Sequence, residues 1–115
     1  MKTIYTIMRE DVAKKINELK LDLLSNELVE SVDKESGEVK RAVKVGVEVA
    51  KGQGAFSRCQ FSVKIPDTTK LKVSEKEIEE ADFEVFFNDL EISYIDTKGT
   101  VYFRATSYEV EKAEV

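Results

Sequence analysis

The chain reads as a mainly β, α+β domain of five strands, with an N-terminal helix and a short helix between the third and fourth strands. Two observations carry this. After residue 28 most of the chain alternates apolar and polar side chains at period two, as in strands with one buried and one solvated face. An earlier stretch repeats at helical spacing, and Gly37, Gly52, Gly54 and Gly99 fall in polar segments between the alternating runs, where turns belong.

Taken in order, Val12, Ile16, Leu19 and Leu23 form one apolar stripe at spacings of four, three and four, predicting a helix over about 9–24. From Leu28 the period changes. "ELVESVDKESGEVKRAVKV" predicts two strands joined by a turn at Gly37. Val43, Val45, Val47 and Val49 share one face of the second strand, opposite Lys44, Gly46 and Glu48. A turn over 51–54 leads to a third strand from Phe56 to Ile65. There Cys59, Phe61, Val63 and Ile65 oppose Phe56, Arg58, Gln60, Ser62 and Lys64, and Pro66 ends the strand. Cys59, on core parity, is expected to be a small buried hydrophobe.

Ser74 followed by Glu77 has capping-box spacing and starts a helix over about 74–81. "DFEVFFNDLEISYID" then alternates as Phe83, Val85, Phe87 and Leu90, Ile92, Tyr94, with a parity slip at Asn88–Asp89 that predicts a bulge. Phe83, Phe86 and Phe87 occupy both parities, so this strand is expected to be covered on both faces, one of them by the N-terminal helix. Asp96–Gly99 marks a hairpin. The last strand sets Val101, Phe103 and Ala105 against Tyr102, Arg104 and Thr106, and the tail over 111–115 is expected to fray. Helix, three strands, short helix, two strands is the element order of an OB-like barrel, with the β region over about 28–111. A strongly curved five-stranded antiparallel sheet would satisfy the same order.

A chain of 115 residues, 42% apolar and 36% charged, fits one domain over 1–115. No apolar run approaches the ~20 residues of a membrane-spanning helix. Glu10 and Asp11 come too early for a secretory signal, and a single cysteine suits a reducing cytoplasm. With no histidine and one cysteine, zinc sites and Ser–His or Cys–His pairs are excluded. "GQG" at 52–54 lacks the rest of a phosphate-binding loop. Neither a catalytic residue, a metal site nor a cofactor is assigned, and the chain is expected not to be an enzyme.

Charge is unevenly spread. Residues 40–72 hold eight bases against two acids, while the whole chain carries a net charge of −5 and residues 73–115 hold four bases against twelve acids. The exposed parity of the predicted strands offers Lys44, Arg58, Lys64 and Arg104 to phosphates and Phe56 and Tyr102 to stacking bases, a pattern suited to single-stranded nucleic acid. An ordinary solvated face, with lysines that discourage edge pairing, accounts for the same residues. Glu75, Glu77, Glu79, Glu80 and Asp82 read as a solvated helix whose first acids complement its dipole, or as a contact for a basic partner.

From about Val43 onward the chain resembles a family of small proteins of Gram-positive conjugative transposons and integrative elements. The resemblance lies in "GQG" at 52–54, "FSVKIP" at 61–66, "DFEVFFNDLEISY" at 82–94 and "VYFRATSYEV" at 101–110. It implies an accessory single-stranded DNA-binding protein acting beside a helicase or replication protein in replication or conjugative transfer. The alternative is a structural or protein-interaction module of a phage or plasmid. Its basic strand face would engage an acidic protein, including the acidic region of a second copy.

Overall fold

The computed structural model describes residues 2–113. Helix α1 spans Ile4–Asn17, opened by Thr3, whose hydroxyl accepts from the Thr6 amide at 3.1 Å. It stops seven residues short of the expected end at residue 24. Leu19, Leu21 and Leu23 also alternate at period two, and in strand β1 (Leu21–Val32) Leu21 and Leu23 are buried against the sheet. Burial in the sheet overrides the helical reading of that stripe. Strand β1 therefore begins at Leu21, ahead of the expected start at residue 28.

Strand β2 (Val39–Val49) forms a long antiparallel hairpin with β1, in register from Leu21↔Val49 to Val32↔Val39. At its turn the Asp33 carboxylate accepts from the Glu35 amide at 2.8 Å, and Gly37 takes φ 72°. The third strand starts later than expected. Phe56 lies in a single 3₁₀ turn, Gly54–Phe56, and β3 spans Gln60–Pro66. Arg58, at φ 69°, turns the chain so that its amide reaches Val49 O while Val49 N reaches Cys59 O. That bend takes Phe56, Arg58 and Cys59 off strand parity, and Cys59 is exposed instead of buried.

The capping box closes at both ends, Ser74 with Glu77, and α2 (Glu75–Glu80) lies between β3 and β4 (Phe83–Asn88). Beyond it come β5 (Glu91–Ile95), β6 (Val101–Arg104) and β7 (Ser107–Lys112). The expected five strands are thus seven, in one sheet of order β5-β6-β3-β2-β1-β4-β7. Two breaks make the difference. Asp89, at φ 56°, separates β4 from β5, and residues 105–106 separate β6 from β7. The strand that was to be covered on both faces buries one: Val85 and Phe87 point inward while Phe86 is exposed. Glu111 and Lys112 belong to β7, and Ala113 donates to Asp82 O at 2.8 Å, so that part of the tail is paired; residues 114–115 lie outside the described chain.

Pairing is antiparallel except between β3 and β6, which run parallel through Val63↔Phe103 and Lys64↔Arg104. Strands β4 and β5 stand far apart in the order, yet only Asp89 and Leu90 separate them along the chain. So short a link spans no more than about 10 Å, so the sheet must curl back on itself.

Inside the curl Val43, Val45, Val47, Val49 and Val63 are fully buried, joined by Ile65, Val85, Phe103 and Tyr108. Each such aliphatic side chain contributes about 1.5–3 kcal/mol by leaving water. Ala13 and Ile16 of α1 pack into the same core. One polar node is buried with them. Tyr108 donates its hydroxyl to Asn26 Oδ1 at 2.9 Å, Asn26 Nδ2 donates to Val73 O at 3.1 Å, and Lys72 N donates to the Tyr108 oxygen at 2.8 Å. The node ties β1, β7 and the segment before α2 together. Among the described residues no helix is long and apolar enough to cross a membrane.

Removing the Tyr108 hydroxyl leaves both the Asn26 oxygen and the Lys72 amide without this partner. Tyr108→Phe is expected to lower unfolding free energy by about 1–3 kcal/mol in urea denaturation, with an unchanged m-value. An effect within a few tenths would remove the node from the stability account.

Candidate functional site

The outward face of β2, β3 and β6 carries cations in register. Lys44 stands opposite Lys64, and Lys64 opposite Arg104, forming one row across three strands, all three exposed. The row ends at Glu91 on β5, whose carboxylate accepts from Arg104 Nε at 2.8 Å and from its Nη2. Elsewhere Arg41 of β2 pairs with Glu30 of β1 at 3.0 Å, and Arg58 of the loop before β3 pairs with Glu48 at 3.2 Å. Lys44 and Lys64 make no ion pair among the described residues, although like charges placed directly opposite cost stability. Glu27 of β1 stands opposite Lys44, so the row lies between an acid on β1 and one on β5, with the two ammonium groups adjacent at its middle.

Two residues along, Gly46 lies opposite Ser62 on this face. A Cβ at Gly46 would come 2.5 Å from Ser25 Oγ, so the glycine lets β1 and β2 approach closely there. Beside them Tyr102 stacks on Tyr94, ring centroids 4.5 Å apart and planes 12° from parallel, with the pair about half exposed. Tyr94 was expected on the core side. A register shift between Ile92 and Tyr94 turns it outward and sets it opposite Tyr102. A four-residue turn over 96–99 would set residue 94 opposite 101; the turn takes in Thr100 as well, which pairs 95 with 101 and 94 with 102.

The turn is firmly built. Asp96 Oδ1 accepts from the amides of Lys98 and Thr100, each at 2.9 Å, and Tyr102 donates its hydroxyl to Asp96 Oδ2 at 3.3 Å. The Thr100 amide is the main reason the Asp96 carboxyl is held below the usual carboxylate range. The neighbouring Tyr94 first, and then the Asp96 carboxylate, push the Tyr102 phenol above its ordinary range; for Tyr108 burial does the same.

Of the six sequence-derived candidates, Lys44, Lys64 and Arg104 form the row and Tyr102 adjoins it. Phe56 and Arg58 do not join it. Phe56 is half-buried against the core, and Arg58 is held by Glu48 in the loop before β3. Phe56 nevertheless lines a cavity of about 970 Å³ that reaches from α1 across β2 and β3 to the β5–β6 hairpin. Lys44, Gly46 and Tyr102 line it too, so the cationic row and the cavity are continuous. On the helix side are Tyr5 and Met8, which the sequence reading did not single out. Among the described residues no group of three acidic, cysteine or histidine side chains is gathered to hold a metal ion. No protein-family model, curated protein or solved structure matches this chain.

Raised tyrosine pKa values favour the folded state fully below the unfolded value of about 10, and that contribution is lost as pH rises through the folded values. In an alkaline titration followed by phenolate absorbance, Tyr94→Phe should bring one of the late-ionising tyrosines back toward its ordinary range. A curve that loses one tyrosine's amplitude without any such shift would overturn the assigned cause.

Proposed function

We propose that this chain is a non-enzymatic, sequence-tolerant single-stranded DNA-binding protein built on an OB-like barrel. The barrel reading takes β4 with β5, and β6 with β7, as two bent strands. Neighbours then run first, second, third, fifth, fourth and back to first, closed by Asp22↔Glu84, with the third and fifth parallel. In OB-type barrels the face of the second and third strands, with the loops that flank it, takes oligonucleotides. Here that face carries the Lys44–Lys64–Arg104 row, with the Tyr94–Tyr102 stack beside it at the base of the 96–100 turn.

The observation that carries the reading is the Lys44–Lys64 pair, directly opposed across β2 and β3 and in no ion pair among the described residues, whereas Arg41 and Arg104 are each held by an acid. Phosphates would pair with these two ammonium groups, and exposed aromatic rings offer stacking to any base, which suits sequence-tolerant binding. Work beside a helicase or replication protein of a conjugative element follows from the sequence resemblance. The cytoplasm is the compartment that role requires.

Fluorescence anisotropy with labelled single- and double-stranded oligonucleotides over a salt series tests the reading. Affinity for the single strand should exceed that for the duplex and fall with salt. Lys44→Glu with Lys64→Glu should weaken binding at least about tenfold and reduce the log–log salt slope by about 0.7 per lost phosphate contact. Affinity that ignores salt, or a double variant that binds like the parent, would leave the basic face to an acidic protein partner.

A further inference from the structure

Helix α1 is amphipathic in an unusual way. Its C-terminal half buries Ala13 and Ile16 in the core, while its N-terminal half leaves large apolar side chains in solvent: Tyr5 is 54% and Met8 60% exposed. These two are not scattered. Both line the 970 Å³ cavity whose other boundary includes Tyr102, Ile95 and Phe56. The helix is also held in place there. The Arg9 guanidinium donates to the backbone oxygens of Ile92 and Ser93, lies 5.5 Å from the centroid of the Tyr5 ring, and Asn17 Nδ2 donates to Phe87 O at 3.2 Å. An apolar wall whose helix is fixed by polar contacts at its middle and its C-terminal end, facing aromatic residues across a cavity, is a preorganised slot.

We infer that α1 is the second wall of the nucleic-acid site, with Tyr5 and Met8 contacting the bases of a single strand whose phosphates lie on the Lys44–Lys64–Arg104 row. The inference rests on the single-stranded DNA reading above. Charge complementarity and continuity select the occupant. Lys44 belongs to both the row and the cavity lining, so a polyanion tracked by the row has its bases beside an apolar cavity. A strand entering there would be held between the Tyr94–Tyr102 stack and the helix, and so gripped from two sides. Bases are the part of DNA with apolar faces, and stacking or packing on them is tolerant of sequence. Methionine suits such a wall because its flexible thioether adapts to different ring shapes.

Two probes separate base contact from phosphate contact: a labelled oligothymidylate and a strand of equal length made of abasic sites. Tyr5→Ala and Met8→Ala change exposed side chains, and thermal melting serves as the folding control. Each variant should lose about fivefold or more on oligothymidylate, the lower end of stacking energies. Each should match the parent on the abasic strand, while Lys44→Glu loses on both and Tyr5→Trp retains oligothymidylate binding. Parent protein that binds neither probe would overturn the single-stranded DNA reading itself. Parent binding with unaffected Tyr5→Ala and Met8→Ala variants would overturn only the role of α1. Equal losses on both probes would also overturn it, since the contact would then not be to bases.

Discussion

The short link through Asp89 and Leu90 governs the shape of this protein. It joins β4, which pairs with β1 and β7, to β5, which pairs only with β6 on the far side of β3. A flat seven-stranded sheet would hold those strands several interstrand spacings of about 4.8 Å apart, more than two residues can bridge. The sheet therefore curls, and curling makes a concave core out of what would otherwise be one exposed apolar face. Asp89 meets the requirement with φ 56°, a left-handed conformation that Asp tolerates better than most residues.

Curling also explains why one strand serves two purposes. The inward valines of β2 are fully buried because β1, β3 and the bent ribbon surround them. The outward residues of the same strand face away from that core, and Lys44 and Gly46 fall into rows with their neighbours on β3. Core and surface are two parities of one alternation. A register slip of one residue would place the lysines inside and the valines outside, so the core enforces the alignment of the cationic row.

Much of this was legible in the chain. Alternation located β2, most of β3, β4 and β6, and the glycine-bearing polar segments located the two hairpin turns. The misreadings share a cause: places where backbone geometry departs from the repeat. Leu19 and Leu23 satisfy helical and strand periods at once, and only the burial of Leu21 and Leu23 in the sheet decides between them. Arg58 at positive φ moves Phe56, Arg58 and Cys59 off the face that counting assigned. The shift between Ile92 and Tyr94 turns Tyr94 outward. Single-residue shifts of this kind leave little trace in composition. They change which side chains meet, so the row of lysines was readable while its aromatic neighbours were only half so. The helix wall was not readable, because Tyr5 and Met8 become neighbours of the strands only through the curl.

Arg9 does something for the sheet beyond holding the helix. Strand β5 ends the pairing order, and a terminal strand exposes carbonyls that an extended segment from another molecule can engage. The irregular register between Ile92 and Tyr94 brings two consecutive carbonyls within reach of one guanidinium, which occupies both. A side chain from a distant part of the chain thus takes acceptors that would otherwise invite a foreign strand. Protection against edge-to-edge aggregation is built into the same contact that seats the helix.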